Sequence, residues 1–434
     1  MTDNIAVRAE NLYKVFGRRP QEAVRRLRDG ADRAEIAKLG TAAVIDATFD
    51  VRQGEIFVVM GLSGSGKSTL IRMLNGLLET TAGSVAVAGD KITGISRKQL
   101  QDVRRRRISM VFQHFALFPH RTVLENAAYA LEVQGVPKAE RTRRALETLT
   151  LVGLEGWGDK LPSQLSGGMQ QRVGLARAFA ADTDVLLMDE AFSALDPLIR
   201  REMQEQLLEL QQELGKTIVF ITHDLNEAMF LGDRIAVMRD GRIVQIGSPE
   251  DILTDPANDY VAQFVQDVDR TRVLTAASVM EPSKATVLES AGPRAALRAM
   301  RDHQTAAAFV VDRSRVLKGV VRDGDAMKAA RAGRQDLTAI LSTDGYSAVD
   351  ADTSLHELFV PSVENPLPLA VTDAKGRLVG VIPRITLLAA LGNVSTDTGD
   401  LPVQSQSPLT VPTDVITDML DATEDQTATE GALR

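Results

Sequence analysis

The hydrophobic pattern changes period along the chain, and the changes divide it. Ile5–Gly17 alternates apolar and polar residues as a half-buried strand does, and it ends in a glycine turn. Residues 18–40 then turn to Arg, Glu, Asp and Ala, with Ala23, Leu27, Ala34 and Ile36 as a thin apolar stripe. That pattern predicts an inserted, solvated helix, bounded at 18–42. Strand alternation resumes over residues 44–54, and Ile56–Met60 is a continuous apolar run, as in a strand buried on both faces of a parallel sheet. From 61 to 247, short apolar strands at 108–112, 185–188, 217–221 and 234–238 alternate with polar-striped helical segments. This order predicts a doubly wound or mixed α/β sheet. Residues 123–161 hold no strand pattern and predict a helical subdomain.

After residue 268 the pattern duplicates itself. Phe309-Val-Val-Asp312 followed by Leu317-Lys-Gly-Val-Val321 matches Ala370-Val-Thr-Asp373 followed by Leu378-Val-Gly-Val-Ile382, at a constant offset of 61 residues. Leu297 falls on Leu358 at the same offset. The repeat predicts two copies of a small βαββα unit, over 268–335 and 336–392, behind a first domain over 1–267. Residues 393–434 are rich in Thr, Asp, Ser, Pro and Gln with a single basic residue, Arg434, which predicts a disordered acidic tail.

Three motifs carry chemistry. Gly61-Leu-Ser63-Gly64-Ser65-Gly66-Lys67-Ser68-Thr69 follows the apolar strand directly and precedes a helical pattern over 70–77. Glycines there let backbone N–H groups close around phosphates at the positive end of a helix. Lys67 would reach the β and γ phosphates, and the Ser68 hydroxyl would ligate Mg²⁺. Residues 185–188 deliver two consecutive carboxylates, Asp189 and Glu190, to the C-terminal end of a buried strand, where open α/β sheets bind ligands. Asp189 suits the second sphere of Mg²⁺, and Glu190 could polarise an attacking water. In Leu165-Ser166-Gly167-Gly168-Met-Gln-Gln171-Arg172, Ser166 caps a helix whose glycine-rich start presents free N–H groups to an anion.

That third segment resembles the signature of ATP-binding-cassette (ABC) ATPases. The resemblance implies a P-loop NTPase core with a helical subdomain, ATP and Mg²⁺ as cofactors, and a homodimer. In such a dimer Ser166, Gly167, Gly168 and Gln171 serve the ATP held by the other subunit. It also implies that Gln113 senses Mg²⁺ and water, that the loop from Ser193 to Asp196 links the two sites, and that His223 contacts the γ-phosphate. Phe16 sits where the family carries an aromatic that stacks on adenine, with Tyr13 nearby.

The insertion, residues 56–68 and the duplicated unit together look like the ATPase of glycine betaine/proline betaine importers, a resemblance spanning about 7–391. The repeat pair is similar to tandem cystathionine-β-synthase (CBS) domains, of α+β type, which in that family regulate osmoprotectant uptake. Where the wider CBS family has a Thr and then a ribose-holding Asp, this chain has Arg322 and Asp325, then Pro383 and Thr386. The resemblance therefore leaves open whether the pair binds a nucleotide, senses ionic strength or only dimerises. It implies separate permease subunits, an indirect solute-binding protein and a peripheral place on the cytoplasmic face of the membrane. An importer for another small solute, of amino acid or methionine type, is the alternative.

Composition narrows this further. A length of 434 residues calls for two or three domains, and the absence of cysteine excludes a disulfide scaffold or catalytic thiol. The N-terminus lacks a signal-peptide pattern, and no apolar run approaches the ~20 residues that span a bilayer. A net charge of −8 argues against a nucleic-acid partner. Residues 284–334 nevertheless carry eleven Lys and Arg against five Asp and Glu, including Arg294, Arg298 and Arg301. Such a local +6 suits anionic lipid headgroups or a plain solvated helix face.

Overall fold

The computed structural model describes residues 4–113, 116–193, 195–266 and 270–391. Two sheets build the first domain. A six-stranded sheet runs in the order Arg242–Gly247, Arg234–Arg239, Ile56–Met60, Thr217–Thr222, Val185–Asp189, Ile108–Phe112. Its first pair is antiparallel and the rest are parallel. A four-stranded antiparallel sheet of Gly40–Arg52, Ile5–Gly17, Ala82–Val87 and Asp90–Lys91 covers one face.

The apolar runs follow from this double covering. Ile56, Val58 and Met60 enter the core on the helical side, and Phe57 and Val59 enter the core between the sheets. The strands Val185–Asp189 and Thr217–Thr222 divide their side chains in the same alternation. Each such side chain contributes about 1.5–3 kcal/mol by leaving water, which a polar residue on either face would forfeit. The helical subdomain is built from Val123–Val133 and Lys138–Leu151, both packed against Gly167–Ala180. Thr122 starts the first of these with a capping box to Glu125.

Two local expectations change. The insertion is not a solvated helix throughout: only Pro20–Arg28 is helical, and Ala23, Val24, Leu27 and Ile36 form a small core with Tyr13, Val15, Ala42 and Ile45. Few apolar residues suffice because the strand ribbon supplies the other half of that core. The helix expected over 70–77 begins at Lys67, so the last three residues of the phosphate loop are already helical.

The repeats fold in matching register. Phe309 pairs with Val320 and Ala370 with Val381; Val310 pairs with Gly319 and Val371 with Gly380. Their N-terminal arms cross over. Glu281 bridges to Val381 in the second repeat, and Ser342 bridges to Val320 in the first. Gly380 and Gly319 make room for these arms, since a Cβ there would lie 2.7 Å from the Met280 sulfur and 2.6 Å from the Ser342 carbonyl oxygen. Leu274 and Ala276 thus lie in the core of the second repeat, and Leu337 in that of the first. A cut at 335/336 divides the chain but not these cores. Phe309, Val311, Ala370, Leu378 and Val381 join the two sheets. The boundary at 267/268 and the acidic tail over 393–434 lie outside the described residues. Among the described residues no helix is long and apolar enough to cross a membrane.

Candidate nucleotide site

The loop 61–66 leaves the buried strand Ile56–Met60 and enters the helix Lys67–Leu74 through backbone that only glycine accepts freely. Gly66 has φ 105°, and a Cβ there would lie 2.1 Å from the Ala43 carbonyl oxygen; at Gly61 it would lie 2.2 Å from that of Met238. Gly64 also has positive φ, with open space where its Cβ would be. Ser63 and Gly64 are exposed, while Ser65 and Lys67 are buried. The Lys67 ammonium donates to the carbonyls of Gly61 at 2.7 Å and Leu62 at 3.2 Å. Burial holds its pKa below the usual lysine value, against the pull of Glu190 and Asp189.

These residues fit a phosphate group. The Ser65 hydroxyl is buried with no hydrogen-bond partner, space is open beside Gly64 at the tip of the loop, and a desolvated ammonium faces two carboxylates. A cation fits beside it. Ser68 Oγ donates to Asp189 Oδ1 at 3.1 Å, a hydroxyl–carboxylate pair of the hard-oxygen type Mg²⁺ prefers. Burial raises the Asp189 pKa, with Ser68 and Arg72 opposing. Arg72 lies 3.9 Å from Asp189 and was not singled out from sequence; its place four residues after Ser68, on the same helix face, was the available signal.

Glu190 follows Asp189 in left-handed backbone, φ 47°, held by its N–H donating to the Ile221 carbonyl. This turn brings Glu190 Oε2 within 3.1 Å of His223 Nδ1. His223 closes the neighbouring strand and is half exposed. Gln113 reaches the same cluster indirectly: its amide donates to Ser193 Oγ at 3.3 Å, and Ser193 Oγ donates to the Glu190 carbonyl at 2.9 Å. Asp196 caps the helix Pro197–Leu214, and Ala194 lies outside the described residues.

Phe16 is 45% exposed and Tyr13 is 4% exposed, so Phe16 offers the open aromatic face. Thr69 lies one residue further into the phosphate-loop helix. Ser166 and Gly167 are exposed, and Ser166 Oγ accepts from Met169 N at 3.3 Å. The partly buried Gly168 has no space for a side chain, since Ile199 lies 2.7 Å from where its Cβ would be. Among the described residues these three make no hydrogen bond to the phosphate loop, from which they stand apart in sequence. Gln171 corrects the expectation set for it. It is fully buried on the inner side of its helix, with neither amide atom partnered, and cannot face a ligand on another chain.

Residues 44–193 match the family model described as ABC transporter, and residues 276–332 match that of the CBS domain. The glycine betaine transport ATP-binding protein OpuAA of Bacillus subtilis is 53% identical over 89% of this chain and 92% of its own length. The glycine betaine/proline betaine transport system ATP-binding protein ProV of Escherichia coli is 46% identical over 91% of this chain and its full length. The trimethylamine N-oxide transport system ATP-binding protein TmoW of Ruegeria pomeroyi is 50% identical, over 62% of this chain and 80% of its own length. With this site and these relatives, the chain belongs to the ATP-binding subunits of ABC transporters, ATPases that pair and drive membrane-spanning permeases.

Proposed function

We propose that this chain is the ATP-hydrolysing subunit that energises import of a quaternary-amine osmoprotectant of the glycine betaine or proline betaine type. It works through separate permease subunits, from the cytoplasmic face of the membrane. One observation carries the ATPase part: Glu190 meets His223 at 3.1 Å, one residue past the Asp189–Ser68 pair and beside the desolvated Lys67. Gly61, Ser63, Gly64, Ser65, Gly66, Lys67 and Thr69 take the phosphates, and Phe16 takes adenine. Ser68 and Asp189, with Gln113, would hold Mg²⁺, whose charge would offset that of the phosphates. Glu190 orients and deprotonates the attacking water, and His223 holds Glu190 and the γ-phosphate in register. Lys67 stabilises the charge that develops.

Two chains complete each site, with the exposed Ser166–Gly168 tip of one closing on the nucleotide of the other. A cleft of about 660 Å³, lined by Phe112, Phe118, Tyr129 and Val133 together with Arg104 and Arg105, is the surface we assign to the permease, as it offers apolar walls beside polar groups. The substrate class is supported by the extent of the matches. Relatives named for glycine betaine align through the cassette and the repeats, whereas the TmoW match spans 62% of the chain. A solute-binding protein delivers the amine to the permease.

The repeats regulate. Arg294, Arg298 and Arg301 are exposed along one face of the helix Pro293–Asp302, spaced to meet anionic headgroups at about 1 kcal/mol each. Salt screens such contacts, so rising ionic strength frees the transporter. The test is reconstitution with permease and binding protein in vesicles. ATP-dependent uptake of labelled glycine betaine supports the reading, and uptake of an amino acid with none of betaine replaces the substrate class. A salt threshold unmoved by neutralising the three arginines removes the lipid contact.

A further inference from the structure

The loops on either side of the Glu190–His223 pair are strapped together by a side chain outside every motif. Arg200 lies in the first turn of Pro197–Leu214. Its Nη1 donates to Asp224 Oδ2 at 3.2 Å, and its Nη2 donates to the Leu195 carbonyl at 3.1 Å. Asp224 is bonded to His223 in the chain, and its other oxygen, Oδ1, accepts the N–H groups of Asn226 and Glu227 at the start of the helix Leu225–Leu231. Leu195 is buried at the end of a tight turn in which Ser193 N donates to the Glu190 carbonyl. One guanidinium therefore fixes the histidine's loop against the carboxylate's loop, using the planar fork that lysine lacks.

The surroundings argue against an ordinary surface ion pair. The Arg200 Nε is buried without a partner, which costs free energy that a freely rotating surface arginine would avoid. The guanidinium also borders a cavity of about 340 Å³ lined by Gln204, Glu227, Phe230 and Val273. The loops therefore lack close packing on that side, where the two guanidinium hydrogen bonds act beside the Gln204 Nε2–Glu227 Oε1 hydrogen bond at 3.0 Å and add to the strand pairing and the Glu190 N–H bond to the Ile221 carbonyl.

We propose that Arg200 is a positioning residue for ATP hydrolysis, holding His223 in register with Glu190 by tying Asp224 to the Leu195 carbonyl. The proposal rests on the ATPase reading, which is checked separately by loss of turnover in Glu190→Gln. The experiment measures steady-state ATP turnover for Arg200→Met, Arg200→Lys, Asp224→Asn and the Arg200→Met/Asp224→Asn double variant. Asparagine at 224 keeps the helix cap, so this variant carries the test even where Arg200→Met fails to fold. Each of Arg200→Met and Asp224→Asn lowers kcat on the order of 10- to 100-fold, the scale of an ångström-sized misplacement, with KM for ATP little changed. Lysine, able to meet one partner at a time, gives an intermediate kcat. The double variant is no slower than the slower single, because both break one strap. Parental kcat in Asp224→Asn, multiplying losses in the double variant, or a loss confined to melting temperature or KM overturns the proposal.

Discussion

Replacing Glu190 by Gln separates chemistry from binding at this site more cleanly than any other change. The two side chains have the same shape, and the left-handed backbone at φ 47° is equally strained for both, so the fold changes little. The amide oxygen of Gln can still accept from His223 Nδ1, the contact that measures 3.1 Å in the parent. Lys67, Ser68 and Asp189 are untouched, and nucleotide binding persists. What disappears is the carboxylate able to take a proton from water. General-base catalysis contributes about 10²- to 10⁴-fold. Turnover should fall by that factor, equivalent to about 2.7–5.4 kcal/mol of transition-state stabilisation. Removing the charge also removes one of two carboxylates that favour the Lys67 ammonium, so burial lowers its pKa further. The assay is phosphate release beside nucleotide binding and size-exclusion chromatography with Mg·ATP, where slowed hydrolysis leaves a persistent dimer. Turnover at the parental rate, or loss of binding together with turnover, would refute the assignment.

Asp189 sets function against stability. Its carboxyl pKa is raised mainly by burial, so the native chain retains a proton that the unfolded chain has released. Stability from this group therefore falls as pH rises from the ordinary carboxylate value through the raised one. At neutral pH, Asp189→Asn should raise the melting temperature of the nucleotide-free chain while abolishing Mg²⁺-dependent turnover; a lower melting temperature contradicts the charge cost. Phe16→Ala should raise KM for ATP by the loss of about 1–3 kcal/mol of base stacking, with kcat at saturation unchanged. An unaltered KM in that variant moves adenine elsewhere.

Sequence alone determined the parts whose cause is local. The phosphate loop is legible because its glycines, lysine and serine act within nine consecutive residues between a strand and a helix. Central strands are legible because burial on both faces leaves an unbroken apolar run, and the repeats because duplication leaves a fixed offset. Tertiary structure decided everything that depends on which strands become neighbours. Val185–Asp189 lies beside Thr217–Thr222 in the sheet, and that adjacency joins Glu190 to His223 across 33 residues and lets Arg200 strap their loops. Gln171 shows the same limit inside one helix. Gly167–Ala180 is buried on nearly all sides, so no polar stripe marks which residues face outward, and only packing against the subdomain decides it. The crossed arms at Glu281 and Ser342 are set by the space above two glycines, a feature of assembled sheets that no single stretch of sequence encodes.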